Sequence, residues 1–285
     1  MVLSMTGFGR EEGVFDGKKI SVEIKSLNSK NLDLSLRLPL RYKEKEFEIR
    51  KILSDKILRG KVECYVSSEA LEDHSHVKLN EGLIQAYINQ LQTIASDGPQ
   101  FEYLKMAVRM PDAISSKGDD LHEAEWEFLV SLVHKALEKF SEFRIAEGSV
   151  LGNELLNFVS NIEEYLQAVS PFESERMDSV KQRYKTALME FDQVDETRFY
   201  QELAYYTEKL DISEEKVRLK QHLGYYKEVL NNESFNGKKL GFIAQEMGRE
   251  INTMGSKANH AEIQKLVVKM KDDLEKIKEQ TLNVL

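Results

Sequence analysis

The feature that most constrains this fold is one change of hydrophobic period near residue 80. Before it, apolar residues alternate with polar ones: Ile20, Val22 and Ile24, then Leu32, Leu34, Leu36 and Leu38, then Val62, Cys64 and Val66. A period of two belongs to half-buried strands, whose successive side chains point to opposite faces. Beyond it apolar residues recur at helical spacing, and breakers are few: the chain of 285 residues has four prolines, Pro39, Pro99, Pro111 and Pro171. An amphipathic helix must bury its stripe, so long helices of this kind predict helical hairpins or contacts between subunits. The expected class is α+β: an N-terminal mixed strand and helix domain over residues 1–155, a long helical hairpin or linker over 156–199, and a helical C-terminal domain over 200–285.

Local signals refine this outline. Asp16-Gly17 should close a hairpin, because that pair tolerates the positive φ of a tight turn. Ile49, Ile52, Leu53 and Ile57 share a helical face, with Gly60 placed to cap its end. Asn80 is positioned to cap a helix carrying Leu83, Ile84, Tyr87, Ile88 and Leu91, which Gly98-Pro99 should end. Residues 96–120 read as an irregular connection. From Trp126 a helical run continues to about residue 191, with Gly148, Gly152 and Pro171 its only breakers of note.

Composition removes several classes. Cys64 is the only cysteine, which excludes an internal disulfide or a multi-cysteine zinc site and suits a reducing cytoplasm. The opening MVLSMTGFGR lacks a signal-peptide pattern, and no stretch approaches the ~18 to 20 apolar residues of a membrane span. A soluble cytoplasmic protein with no membrane partner is expected. Gly7-Phe8-Gly9 with Gly13 is not a dinucleotide fingerprint and reads as a strand-edge kink; no phosphate-binding loop motif occurs, so no nucleotide cofactor is expected. His74-x-His76 beside Asp73 reads as polar loop rather than a metal site.

The net charge of −9 argues against a polyanionic partner until it is divided along the chain. Residues 18–61 hold 13 Lys and Arg against 6 Asp and Glu, whereas residues 62–235 hold 17 against 33. The basic stretch, including Lys25, Arg37, Arg41, Arg59 and Lys61, has the character of a lining that tracks an RNA backbone. The alternative for part of it is a solvated helix on which Lys43, Lys45, Arg50 and Lys51 pair with Glu44, Glu46 and Glu48.

Candidate chemistry concentrates in residues 200–260. Asp211 and Glu214 have the spacing of a capping box at a helix start. Glu215, Arg218 and His222 then project from one side of that helix, on a face that reads as polar. On a second helix Glu246 and Glu250 are four apart, where like charges repel by a few tenths of a kcal/mol unless a cation intervenes. Glu215, His222, Glu246 and Glu250 are therefore candidate ligands of a divalent metal, Mn²⁺ or Mg²⁺. The alternative is that Glu246 and Glu250 flank Arg249 on a solvated face and that His222 is an ordinary helix histidine.

Motifs at both ends of the chain carry a resemblance. Met5-Thr6-Gly7-Phe8-Gly9-Arg10, Glu23 to Asn28, Leu32-Asp33, Leu38-Pro39 and Arg59-Gly60-Lys61-Val62 are similar to the YicC/YloC family of bacterial proteins. So are Asp211 to His222, Gly237 to Leu240, Gln245-Glu246-Met247, Arg249 to Thr253 and Gly255-Ser256-Lys257. The chain departs from the pattern at Gly248, where the family more usually has Asn, at Gly241, where it has Asp, and in the last residues. The resemblance implies a metal-dependent endoribonuclease assembled as a homohexamer. Glu215, His222, Glu246 and Glu250 would then serve the metal and the chemistry, His222 alternatively as general acid or base, while Arg218, Arg249 and Lys257 grip phosphates. Sparse aromatics in the basic stretch favour backbone reading of single-stranded or loop RNA over sequence readout. The rival is a non-catalytic RNA-binding or scaffold oligomer; a phosphatase or nucleotide hydrolase using the same metal is a third reading.

Overall fold

The computed structural model describes residues 2–71, 78–115, 121–188 and 196–285. Strands β1 (Gly7–Phe15) and β2 (Lys18–Leu27) form the expected hairpin, Phe15 opposite Lys18, with Asp16 and Gly17 both at positive φ (46° and 71°). That is the geometry whose twist matches a two-residue hairpin. Strand β4 (Gly60–Ala70) pairs antiparallel with β2, placing Cys64 opposite Ile24. Strand β3 (Leu32–Arg37) adds to the other edge of β4 in parallel, Leu34 opposite Val62, giving the order β1-β2-β4-β3. A parallel neighbour needs a crossover. A short 3-10 helix (Leu40–Lys45) and α1 (Glu46–Lys56) supply it. Gly60 does not cap α1, which ends at Lys56; its φ of 121° starts β4 instead.

One face of the sheet is a dry core. Ile20, Val22, Ile24, Val62, Cys64 and Val66 pack with Leu53 of α1 and with Leu129, Val133, Ala136 and Phe140 of α4 (Glu123–Leu188). Burial pushes the Cys64 thiol up to about 12. Strand β1 shows no kink at Gly7-Phe8-Gly9, since its register with β2 is unbroken. These glycines instead clear a seat for α4: a Cβ on Gly9 would lie 2.1 Å from the carbonyl oxygen of Ala136.

A small separate unit with its own core comes between β4 and α4 in chain order. Strands β5 (Lys78–Leu79) and β6 (Ile114–Ser115) pair, and α2 (Glu81–Ile94) begins where Asn80 Oδ1 accepts from the Leu83 amide at 3.2 Å, as expected. Residues 96–120 are not wholly irregular, because α3 (Gln100–Ala107) forms within them and packs Tyr103 and Ala107 against Ile84 and Ile88.

The 66-residue helix α4 also enters a second core. Its residues Leu151, Leu155, Val159, Ile162, Leu166 and Val169 recur at three and four and pack on α6 (Ser213–Asn232), α7 (Gly237–Lys257) and α8 (Ala261–Thr281). Helix α5 (Glu196–Leu210) precedes that bundle. Residue 155 therefore lies in mid-helix, inside the second core, and the stretch of α4 between the cores runs from Phe140 to Leu151. The two ends of the chain meet there: the Met5 amide donates to Asn283 O at 2.9 Å, and the Leu285 amide to Leu3 O at 2.9 Å. Beneath this join Arg144 of α4, 6% exposed, donates to the carbonyl oxygens of Met5 and Arg59 at 2.9 and 3.3 Å; burial lowers its guanidinium to about 10. Among the described residues, no helix is long and apolar enough to cross a membrane.

Candidate active site on the α6–α7 hairpin

Helix α6 starts at an Asp-Ser turn. Asp211 Oδ1 accepts from the Ser213 hydroxyl at 2.7 Å and its amide at 3.0 Å, which holds the Asp211 carboxyl below the usual carboxylate range. The expected capping box does not close, because Glu214 turns outward to Arg218, four residues on. The face carrying Glu215 is not polar surface either. Glu215 is 6% exposed and sits in line with Leu219 and Leu223 of the core; Arg218 is exposed and His222 half-buried.

Glu215 tolerates burial because Lys257 reaches it: Lys257 Nζ lies 2.8 Å from Glu215 Oε1. Its other oxygen, Oε2, is buried with no hydrogen-bond partner. Gly255 does not stop α7, which runs to Lys257; a Cβ there would come within 3.0 Å of Val267, so the glycine lets α8 approach. Gly248 has a similar place, its Cβ position 3.2 Å from Leu274.

The other acids of α7 diverge in environment. Glu246 is half-buried and held by Arg249 at 2.7 Å, three residues on, so an internal cation relieves part of the expected repulsion. Glu250 is 8% exposed and has neither a hydrogen-bond donor nor a cation among the described residues, but its carboxylate oxygens still reach solvent.

In the antiparallel hairpin the Glu215–Lys257 pair sets the level of the two helices. At 1.5 Å rise per residue, His222 is then level with Glu250 along the hairpin, with Glu215 roughly 10 Å further along. Among the described residues no three His, Cys, Asp or Glu side chains are grouped to hold one metal ion. His74, His76 and Asp73 lie outside the described residues.

The expected RNA-facing cations disperse. Lys25, Arg37 and Lys61 are exposed on the sheet face away from α4, interleaved with Glu23, Asp33 and Glu63; Lys25 pairs with Glu23 at 2.6 Å. Arg41 is committed to the buried Glu125 at 2.5 Å, which Tyr42 also holds at 2.6 Å. On α1 and the turn before it, Lys45 pairs with Glu48 and Arg50 with Glu46, as a solvated helix would. Arg59 donates Nε to Ser29 O at 2.7 Å and lines a cleft with Lys30, Lys238 and Lys278. Nothing in the spacing of those four residues announces the cleft; the weak signals were Asn28 and Gly237-Lys238 within the family-like motifs.

A four-stranded sheet seated on one shared helix, and a helical hairpin with two buried carboxylates, place this chain with the sheet-and-bundle proteins of the YicC type. The chain belongs to that family: residues 2–153 match the family model described as endoribonuclease YicC-like, N-terminal region, and residues 167–285 the one described as endoribonuclease YicC-like, C-terminal. Two relatives align over the full length of both chains, each named probable endoribonuclease YicC: one from Clostridioides difficile, 32% identical, and one from Haemophilus influenzae, 29% identical.

Proposed function

We propose that this protein is a divalent-metal-dependent endoribonuclease that cleaves single-stranded or loop RNA as a homo-oligomer. The observation that carries the metal reading is Glu250, a carboxylate that no donor and no cation among the described residues claims and whose oxygens solvent still reaches. The names of the family and of both relatives support RNA as substrate. Mg²⁺ and Mn²⁺ commonly take one or two carboxylates and complete their shell with water and substrate phosphates. Glu250 and Glu246, with His222 at the level of Glu250, meet that requirement without a three-residue cage; Glu215, roughly 10 Å along and held by Lys257, stands outside it. Bound there, the ion would polarise a phosphate oxygen and lower the pKa of the attacking oxygen.

The side chains around it have defined tasks. Glu250 and Glu246 would hold the cation, both from helix α7. His222, an imidazole that can both donate and accept, moves a proton to or from the reacting oxygens. Arg249 and Arg218 hold phosphates, because each is exposed and tied only to a surface acid, a pairing worth about 0.3–0.5 kcal/mol that a phosphate readily replaces. Lys257 holds Glu215 in place. Large apolar side chains at the surface, including Leu40, Phe47, Ile94 and Phe101, support self-association, and a homohexamer is the assembly proposed.

Incubating the purified protein with RNA in Mn²⁺, in Mg²⁺ and in EDTA tests the reading. Cleavage is expected with metal only, and Glu246→Gln with Glu250→Gln should abolish it. Light scattering should report a multiple of the 32.9 kDa chain. The second reading, a non-catalytic RNA-binding or scaffold oligomer, draws on the engagement of Glu215 by Lys257 and of Glu246 by Arg249. RNA left intact under all three conditions favours it.

A further inference from the structure

A second polar feature lies where the two cores meet. The turn after β2, the residue before β4, the first half of α7 and the end of α8 enclose a cleft of 810 Å³. Lys30, Arg59, Lys238 and Lys278 line it, against a single acid, Glu279. Most exposed cations near the hairpin are matched by an acid, as Arg218 is by Glu214 and Arg249 by Glu246. In the cleft, Lys30 and Lys238 have no carboxylate partner among the described residues, and Arg59 gives its Nε to a backbone carbonyl. Only Lys278 is paired, to Glu275 at 2.7 Å. Below the floor lies Arg144, a cation with no acid, hydrogen-bonded to the carbonyls of the lining residues Met5 and Arg59. Charge of one sign on a low-dielectric wall concentrates a field that attracts a polyanion.

The wall is also aromatic. Phe242 of α7, 57% exposed as a residue, lines the cleft beside Gln245 and next to Gly241, whose Cβ position meets nothing within 4 Å. A cationic groove with an open ring is what single-stranded nucleic acid requires: phosphates meet the cations and a base stacks on the ring. Lys238, Phe242, Gln245 and Arg249 are all exposed at helical spacing on one face of α7. A strand leaving the cleft along that face passes Arg249 roughly 10 Å beyond Phe242, and with it Glu246.

We propose that this cleft is the clamp that receives single-stranded RNA, with Lys30, Arg59, Lys238 and Lys278 on backbone phosphates and Phe242 under a base. The choice of RNA as the polyanion rests on the endoribonuclease reading. The clamp feeds the strand along α7 toward Glu246 and Glu250.

Binding without cleavage tests it. The full-length protein is titrated into a short fluorescein-labelled single-stranded RNA in EDTA, and anisotropy gives Kd across a salt series. Phe242→Ala should weaken binding roughly 5- to 100-fold, the range for loss of one stacked base. Lys30→Ala with Lys238→Ala should reduce the slope of log Kd on log salt by about 1.4, two phosphates at ~0.7 each. Lys265→Ala, on the far part of α8 and paired with Glu262, should change neither. Thermal melts establish that each variant is folded. Wild-type affinity and slope in both cleft variants, or no RNA binding by the wild type, overturn the clamp. If the wild type cleaves RNA while the cleft variants bind normally, the clamp falls and the nuclease stands. If cleft variants lose binding but no metal supports cleavage, the nuclease falls and the clamp stands.

Discussion

Lys257, in the last turn of α7, holds Glu215, in the first turn of α6, at 2.8 Å across the open end of the hairpin. Removing the lysine strands a buried carboxylate. With Lys257 itself 30% exposed, Lys257→Ala should cost about 2–3 kcal/mol, below the ~3–5 kcal/mol of a fully buried pair. Glu215→Gln should cost less, and the double variant Glu215→Gln with Lys257→Met should recover part of the loss. Urea unfolding of all four proteins gives the coupling; costs that simply add would show that the pair contributes nothing.

Glu250 makes a prediction that does not depend on catalysis. Its carboxylate has no partner among the described residues but keeps contact with solvent, so Glu250→Gln should leave Tm in EDTA nearly unchanged. Adding Mn²⁺ should raise the Tm of the wild type in proportion to occupancy and leave the variant unmoved. Equal metal-induced shifts in both proteins would remove Glu250 from the metal site.

Two glycines should respond oppositely to the same substitution. Gly9→Ala drives a methyl into the Ala136 carbonyl and the Phe140 amide, both backbone, so α4 must shift off the sheet at about 3 kcal/mol or more. Gly224→Ala meets nothing within 4 Å on a helix and should stabilise by up to ~1 kcal/mol. Chemical denaturation of the two variants decides this.

The buried acids with raised pKa set the alkaline limit. Cys64 is pushed up to about 12 from its ordinary 9.0, and Tyr226 to about 12 from 10.0, each by burial. Above pH 9 the unfolded thiol loses its proton while the folded one keeps it, so stability falls as pH rises. The contribution is complete below the unfolded values and lost through the folded ones. Tm measured from pH 7 to 11 should begin to drop above about 9, and Cys64→Ala should delay the onset toward 10. Native protein should also resist Ellman's reagent until unfolded, because its thiolate is scarce and enclosed.

Local chemistry was legible in the sequence wherever one residue decides the geometry. Asp16-Gly17 announced the hairpin because positive φ is available to few residues, and Asn80 announced its helix because an amide oxygen satisfies an orphan N–H. Helix α4 followed from the scarcity of breakers. What escaped depends on partners far apart in the chain. Glu215 reads as surface until Lys257, 42 residues on, is placed beside it. Arg41 reads as an RNA ligand until Glu125 claims it, 84 residues away. The two-turn α3 is too short to establish a period, and the parallel pairing of β3 leaves no local trace. Gly9 carries no sign of the helix that crosses it.

Helix α4 gives its first turns to the sheet core and its middle to the bundle core. The hydrogen-bonded ladder between Phe140 and Leu151 is thus common property, and neither half can melt without unwinding the other's wall. The molecule is built to unfold in one cooperative transition. Across the roughly 17 Å of helix between Phe140 and Leu151, at 1.5 Å per residue, a twist applied at the sheet arrives at the bundle as torque rather than being absorbed by a linker.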